Sequence, residues 1–116
     1  TIPSSIGNFT QVTWMALNGK GVTGSIPPEI GNMTSLEHLD LQDNNLTGEV
    51  PSEICDLPNL QVLYLWNNKL CPPYPSCIID FFTGSFGGPY GVGGQDTSEC
   101  EYCISNPTDP QCDPSP

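Results

Sequence analysis

His38 and Asp40 come nearest, in type and spacing, to a catalytic pair in this sequence. His38 is the single histidine, and residues two apart in an extended strand project to the same side. A general base also needs a nucleophile or metal and an oxyanion-stabilising group. No serine or cysteine is placed to complete such a set. We therefore predict that the chain is not an enzyme and uses no cofactor. His38 then serves as a contact residue whose protonation makes binding sensitive to pH.

The six cysteines are a second source of chemistry. All lie at or beyond position 55, at Cys55, Cys71, Cys77, Cys100, Cys103 and Cys112. An even count crowded in this way predicts disulfides and an oxidising, extracellular environment. The Cys100-x-x-Cys103 pair also matches half of a zinc site, but a clear second pair of ligands is missing. We predict no metal site.

Composition narrows the class of partner. The 116 residues include 13 Asp and Glu against 2 Lys and Arg, giving a net charge of -11. This charge opposes binding to nucleic acid or to an anionic membrane, and it leaves room for cationic or neutral partners. No apolar run approaches the roughly 18 residues of a membrane span. The sequence starts at Thr1 within a repeating pattern, so we read it as a piece of a longer secreted protein.

A repeat of 24 residues organises the chain. Prolines and isoleucines both keep this interval, at Pro3, Pro27, Pro51 and Pro75 and at Ile6, Ile30, Ile54 and Ile78. Within the middle unit a second set of residues follows, namely Leu36, Leu39, Leu41, Asn44 and Leu46. Each unit is too small to bury its own apolar residues, so successive units must stack.

The spacing L-x-x-L-x-L-x-x-N-x-L from Leu36 to Leu46 is the leucine-rich-repeat signature. The stretch LEHLDLQDNNLTGEVPSEI resembles the plant-type subclass found in receptor-like kinases, receptor-like proteins and polygalacturonase-inhibiting proteins. The resemblance covers residues 2 to 81. It implies an extracellular α/β solenoid, a right-handed coil with a parallel β-sheet on its concave face, and a role in recognition.

The residues support the same architecture. Leu39 and Leu41 alternate with polar neighbours, which predicts a short strand with one buried face. Asn44 and Asn68 fall where the chain leaves the sheet, and a buried amide there can satisfy backbone groups. Gly24 and Gly48 suit turns. We assign three full repeats and a partial fourth to residues 1–81, a Cys-rich capping region to 71–112 and a disordered tail to 113–116.

Repeat register bears on the disulfides. Cys77 falls level with Glu53, two residues from Cys55, on a coil about 4.8 Å away. Register thus favours Cys55–Cys77. We expect Cys71–Cys100 and Cys103–Cys112 to complete the set, while Cys71–Cys77 remains a rival pairing.

The two ends of the solenoid are predicted to differ. At the C-terminal end we expect four aromatic residues to cover the last coil, namely Phe81, Phe82, Phe86 and Tyr90. At the N-terminal end Ile2, Ile6 and Val12 would face water, which predicts flanking repeats, a cap or a partner there.

Outward residues of the strands should form three columns on the concave face. The first is Trp14, His38 and Val62, the second Ala16, Asp40 and Tyr64, and the third Asn18, Gln42 and Trp66. Exposed Trp and Tyr are typical of interfaces, and they also stack on sugars. The predicted binding residues are Trp14, Asn18, His38, Asp40, Gln42, Tyr64 and Trp66. The alternative is that the glycine-rich tail covers Tyr64 and Trp66.

Three N-x-T sequons begin at Asn8, Asn32 and Asn45. The first two occupy the same place in the repeat and could carry glycans on the convex side. The alternative is that N-x-T only reflects the turn chemistry of the repeat.

Taken together, these patterns predict a module that binds a protein or peptide. One alternative is carbohydrate or cell-wall binding, including inhibition of a wall-degrading enzyme. The other is a structural spacer within a larger solenoid.

Overall fold

The computed structural model describes residues 1–77 and 95–112. Its six short strands occur in consecutive pairs, separated by helical turns. The strands are β1 (Trp14–Ala16), β2 (Thr23–Ser25), β3 (His38–Asp40), β4 (Asn45–Glu49), β5 (Val62–Tyr64) and β6 (Lys69–Cys71). The helical elements are 3₁₀ turns at Ser4–Asn8, Pro28–Asn32, Ser52–Asp56 and Pro110–Cys112, and α1 at Glu101–Ser105.

Strands β1, β3 and β5 form a parallel sheet in the order β1-β3-β5. Trp14 pairs with His38, and His38 pairs with Val62, so each step across this sheet spans one 24-residue repeat. The predicted solenoid with a parallel sheet is therefore confirmed, and its first two columns lie in the predicted register.

A second parallel sheet, β2-β4-β6, was not predicted. Ser25 pairs with Thr47 and Thr47 with Lys69, a step of 22 residues instead of 24. Gly24 and Gly48 lie inside its strands with φ of 82° and 78°. Glycine adopts these angles without strain, so each strand bends where the sequence indicated only a turn.

The core fills the space between the two sheets and the 3₁₀ turns. Its most deeply buried side chains are Ile30, Met33, Leu36, Leu39, Leu41, Leu46, Ile54, Leu63, Leu65 and Leu70. The expectation that Ile2 and Ile6 face water is wrong, since they are 6% and 7% exposed. Both pack in the same apolar cluster as Ile26 and Ile30 of the next coil, and Val12 packs partly against it.

Neighbouring coils approach each other closely at the 3₁₀ turns. A Cβ added at Gly7 would lie 2.8 Å from the carbonyl oxygen of Glu29, and one at Gly31 would lie 2.8 Å from the carbonyl oxygen of Glu53. In both places the contact joins residues 22 apart. Cys55 occupies the same repeat position in the third coil, and Cys77 is again 22 residues on.

Two disulfides, Cys55–Cys77 and Cys71–Cys100, tie the C-terminal cap to the solenoid, and a third, Cys103–Cys112, lies within the cap. Cys55–Cys77 is the bridge that repeat register favours, the other two pairs are those expected with it, and together they confirm a disulfide-stabilised cap. The predictions for Phe81, Phe82, Phe86, Tyr90 and the tail 113–116 fall outside the described residues. No helix in residues 1–77 and 95–112 is long and apolar enough to cross a bilayer.

Candidate functional site

The concave face is positioned by strands of only three residues. In β3 and β5 the central residues, Leu39 and Leu63, point into the core and are 0% exposed. Because side chains alternate along a strand, the residues on either side of them project outward. Aromatic rings from neighbouring coils are thereby brought together on the concave face of the sheet.

Four rings form a continuous run across this face. Trp14 and His38 stack in parallel, with ring centroids 3.7 Å apart and an interplanar angle of 2°. His38 meets Tyr64 edge-to-face at 5.6 Å, and Tyr64 lies tilted against Trp66 at 4.6 Å. All four residues were expected on one face from the sequence, whereas the contacts between their rings were not.

The orientation of the rings determines which surfaces remain available. Parallel rings only 3.7 Å apart must have their faces turned toward each other, so the indole of Trp14 covers one face of His38. Trp14 itself is 66% exposed, and it stands on the edge strand of the sheet. Trp14 is thus the most open ring of the run.

Asp40 lies beneath this surface. The residue is 8% exposed. Its carboxylate accepts two hydrogen bonds from Gln42, from the backbone N–H to Oδ1 at 3.2 Å and from Nε2 to Oδ2 at 3.0 Å. Asp40 therefore fixes the orientation of Gln42 from below.

The third column continues the register beyond the strands. The N–H of Gly19 donates to the Gln42 carbonyl at 3.2 Å, and the N–H of Asp43 donates to the Trp66 carbonyl at 3.1 Å. These bonds hold Asn18, Gln42 and Trp66 on successive coils. At the margin Asn67 Nδ2 donates to Asp43 Oδ1 at 2.8 Å.

Two buried asparagines hold the coils beneath the third column. Asn68 Oδ1 accepts from the Leu46 N–H at 3.0 Å, and Asn68 Nδ2 donates to the Leu41 carbonyl at 2.9 Å. Asn44 makes the equivalent bonds to Val22 and Leu17. Where the first coil has Lys20 in place of asparagine, its N–H donates to Asn44 Oδ1 at 3.1 Å.

Gln95 is a structural residue that the sequence analysis missed. Its Oε1 accepts from the Leu70 N–H at 3.0 Å and its Nε2 donates to the Leu65 carbonyl at 2.7 Å. It is 2% exposed and does for the last coil what Asn68 does for the coil before. The sequence signal for this role was an amide side chain, but Gln95 lies 27 residues after Asn68 and so falls outside the 24-residue period.

The three sequon asparagines are exposed. Asn8 and Asn32 end equivalent 3₁₀ turns, away from the concave sheet, whereas Asn45 begins β4 in the second sheet. Their modification stays a prediction.

Lys69, Tyr74 and Asp109 lie outside the concave sheet, with Lys69 in β6. Burial raises the pKa of Tyr74 to about 12, and a hydrogen bond from Tyr102 lowers the pKa of Asp109. Across the described ranges, no group of three or more His, Cys, Asp or Glu side chains could hold a metal ion.

Comparison with known proteins places this geometry in a family. Residues 34–75 match the family described as leucine-rich repeats (2 copies). A chain of the BIR3–SERK2 complex from Arabidopsis thaliana is 33% identical, with a TM-score of 0.69, over 87% of this chain and 54% of that one. No curated protein sequence matches the chain at a significant level.

Two further structures show the same likeness. The plant peptide hormone receptor RGFR1 in complex with RGF2 is 38% identical (TM-score 0.55), over 62% of this chain and 12% of that one. The ectodomain of the membrane receptor kinase GASSHO1/SCHENGEN3 from Arabidopsis thaliana, in complex with CASPARIAN STRIP INTEGRITY FACTOR 2, is 32% identical (TM-score 0.59), over 79% and 10%. The chain thus spans 54% or less of each of these structures. With the repeat match and the stacked parallel coils, they identify the chain as a plant-type leucine-rich-repeat protein.

Proposed function

We propose that this chain is a non-enzymatic extracellular recognition module that binds a protein or peptide on its concave sheet. The observation that carries the proposal is the run of rings from Trp14 through His38 and Tyr64 to Trp66. Trp and Tyr contribute large contact areas with few rotatable bonds and dominate the energetics of many interfaces. Gln42, oriented by Asp40, adds a fixed amide beside the rings.

The similar structures support this class of partner. One is named as a peptide hormone receptor in complex with RGF2, and another is a receptor-kinase ectodomain in complex with a named factor. Three disulfides among the described residues favour an oxidising, extracellular location.

The test is a selection of peptides from a random dodecapeptide library, followed by calorimetric titration of the peptides recovered. We expect Tyr64→Ser to weaken their binding by tenfold or more, on the order of a typical interface hot spot. Thr23→Ala is the matched control, because Thr23 is exposed on the second sheet. If Tyr64→Ser and Trp14→Ser both bind the recovered peptides as strongly as the native sequence does, the concave face is not the site.

Variants of the same protein distinguish carbohydrate recognition and a spacer role from peptide binding. Binding to a glycan array that is lost in Trp66→Ala would favour carbohydrate recognition. If Trp14, Tyr64 and Trp66 can all be replaced by Ser in the full-length protein without loss of any binding, the chain is a spacer.

A further inference from the structure

We propose that the Asp43 carboxylate is the point on the concave face that recognises a basic side chain of the bound protein or peptide. This inference rests on the proposed function and names the charge of the partner at one margin of that face. Three acidic residues lie in or beside β3, namely Glu37, Asp40 and Asp43. Asp40 is buried and its carboxylate is bonded to Gln42, so Glu37 and Asp43 are the two that a partner can reach.

The backbone places Asp43 at the edge of the third column. Its N–H donates to the Trp66 carbonyl at 3.1 Å, just as the N–H of Gly19 donates to the Gln42 carbonyl one coil earlier. Asp43 has a φ of 57°, a left-handed conformation that aspartate and asparagine adopt more readily than most other residues. Asn67, at the same repeat position one coil later, has the same φ of 57°. The two side chains therefore leave neighbouring coils with similar backbone geometry.

A neighbouring amide orients the carboxylate. Asn67 Nδ2 donates to Asp43 Oδ1 at 2.8 Å, across one repeat of 24 residues. The donor is a neutral amide, so this bond leaves the negative charge in place. A carboxylate that is already held loses less conformational freedom on binding than a free one does. The longer side chain of Glu37 receives no such bond among the described residues, so Asp43 is the better prepared of the two exposed acids.

Charge complementarity identifies the group on the partner as basic. The chain carries 13 acidic residues against two lysines, Lys20 and Lys69. Within residues 1–77 and 95–112, neither lysine forms an ion pair with Asp43. A lysine or arginine of the partner therefore gains long-range attraction to the acidic chain and a charge-assisted hydrogen bond at Asp43, whereas an acidic group there is repelled.

The test is a double-mutant cycle on peptides from the random dodecapeptide library. Selections against the native protein and against Asp43→Asn are run side by side, and we expect lysine and arginine to be enriched more in the native selection. Asparagine fits position 43, because Asn67 adopts the same φ. Recovered peptides are then titrated by calorimetry with the basic residue intact or neutralised, as norleucine for lysine and as citrulline for arginine.

The two changes of the cycle should not be additive. Asp43→Asn alone, or neutralisation of the peptide alone, should weaken binding by about fivefold or more, and the two together should weaken it little further. Added salt should reduce the difference between the native protein and Asp43→Asn. The lysine and arginine peptides are compared separately, which shows whether an ammonium or a guanidinium is preferred.

Glu37→Gln is the matched control, because it removes one negative charge from the same coil at the opposite end of β3. It should change the affinity by about twofold or less, as expected for an exposed charge without a direct contact. Equal losses in Asp43→Asn and Glu37→Gln, or native-selected peptides in which lysine and arginine are not enriched, would overturn this inference. Both results leave the proposed function standing, because that function fails only if the peptides bind independently of Tyr64 and Trp14.

Discussion

The side-chain amide of Gln95 is bonded to the backbone of Leu65 in the same way that the amide of Asn68 is bonded to the backbone of Leu41. The separation is 30 residues for the Gln95 pair and 27 for the Asn68 pair. The last rung of the amide ladder is thus reached by three additional residues of chain and by a side chain one methylene longer. Asp96 continues the contact by donating its N–H to the Asn68 carbonyl at 2.9 Å.

Replacing Gln95 with Leu should therefore loosen the cap. The variant leaves the buried N–H of Leu70 without its partner, at a cost of about 1–3 kcal/mol, whereas the carbonyl of Leu65 keeps the hydrogen bond from Asn68 Nδ2. We expect a lower midpoint in thermal unfolding followed by circular dichroism under non-reducing conditions. Gln61→Leu is the control, because Gln61 is exposed. Equal midpoints for the two variants would show that the rung contributes nothing to stability.

Gly31 tests the close approach of the coils at the 3₁₀ turns. In Gly31→Ala the new methyl would lie 2.8 Å from both the Cβ and the carbonyl oxygen of Glu53. Since backbone cannot rotate away as a flexible side chain can, we expect a loss of about 1–3 kcal/mol in the free energy of unfolding. Urea titration measures it. Ser52→Ala, at an exposed site in the next turn, should change stability little, and a Gly31→Ala variant as stable as Ser52→Ala would contradict the tight contact.

Repeat periodicity made much of this architecture predictable from sequence. Asn44 and Asn68 fall on the 24-residue period and so were assigned their ladder role correctly. The ladder role of Gln95 was not predicted, because its spacing and residue type both depart from the repeat. The second sheet was missed because Gly24 indicated a turn, whereas its φ of 82° allows a bent strand.

The ring contacts of the candidate site could not be predicted from the sequence. Register placed Trp14 beside His38, but the parallel stack depends on the rotamers of both side chains. Burial of Asp40 depends on Gln42 folding back over its carboxylate, a contact that periodicity alone does not specify. Sequence thus predicted which residues share the face, while packing decided which of them a ligand can touch.

Burial of Tyr74 should make the protein less stable at alkaline pH. Burial raises the pKa of its phenol from 10.0 to about 12. A pKa that is higher in the folded than in the unfolded state contributes stability that is fully present below pH 10 and is lost as the pH rises toward 12. We expect the urea midpoint to fall across this window in the native sequence and to fall less in Tyr74→Phe.

Tyr102 is the comparison for that measurement. Its phenol donates a hydrogen bond to Asp109, which also raises the pKa of Tyr102. Tyr102→Phe should retain the part of the alkaline loss that comes from Tyr74. If Tyr74→Phe and the native sequence lose stability in parallel, burial of Tyr74 has no energetic consequence at high pH.

The sequons at Asn8 and Asn32 should accept glycans when the chain is produced through a eukaryotic secretory pathway. Both side chains are exposed at the ends of equivalent 3₁₀ turns, so a glycan there would lie away from the concave sheet. Intact mass spectrometry should show one glycan fewer in Asn8→Gln and in Asn32→Gln. Asn59→Gln is the control, because Asn59 is exposed but begins no sequon. Peptide affinity at the concave face should be the same with and without these glycans. A mass equal to that of the bare polypeptide would instead mean that N-x-T at these sites serves only the turn.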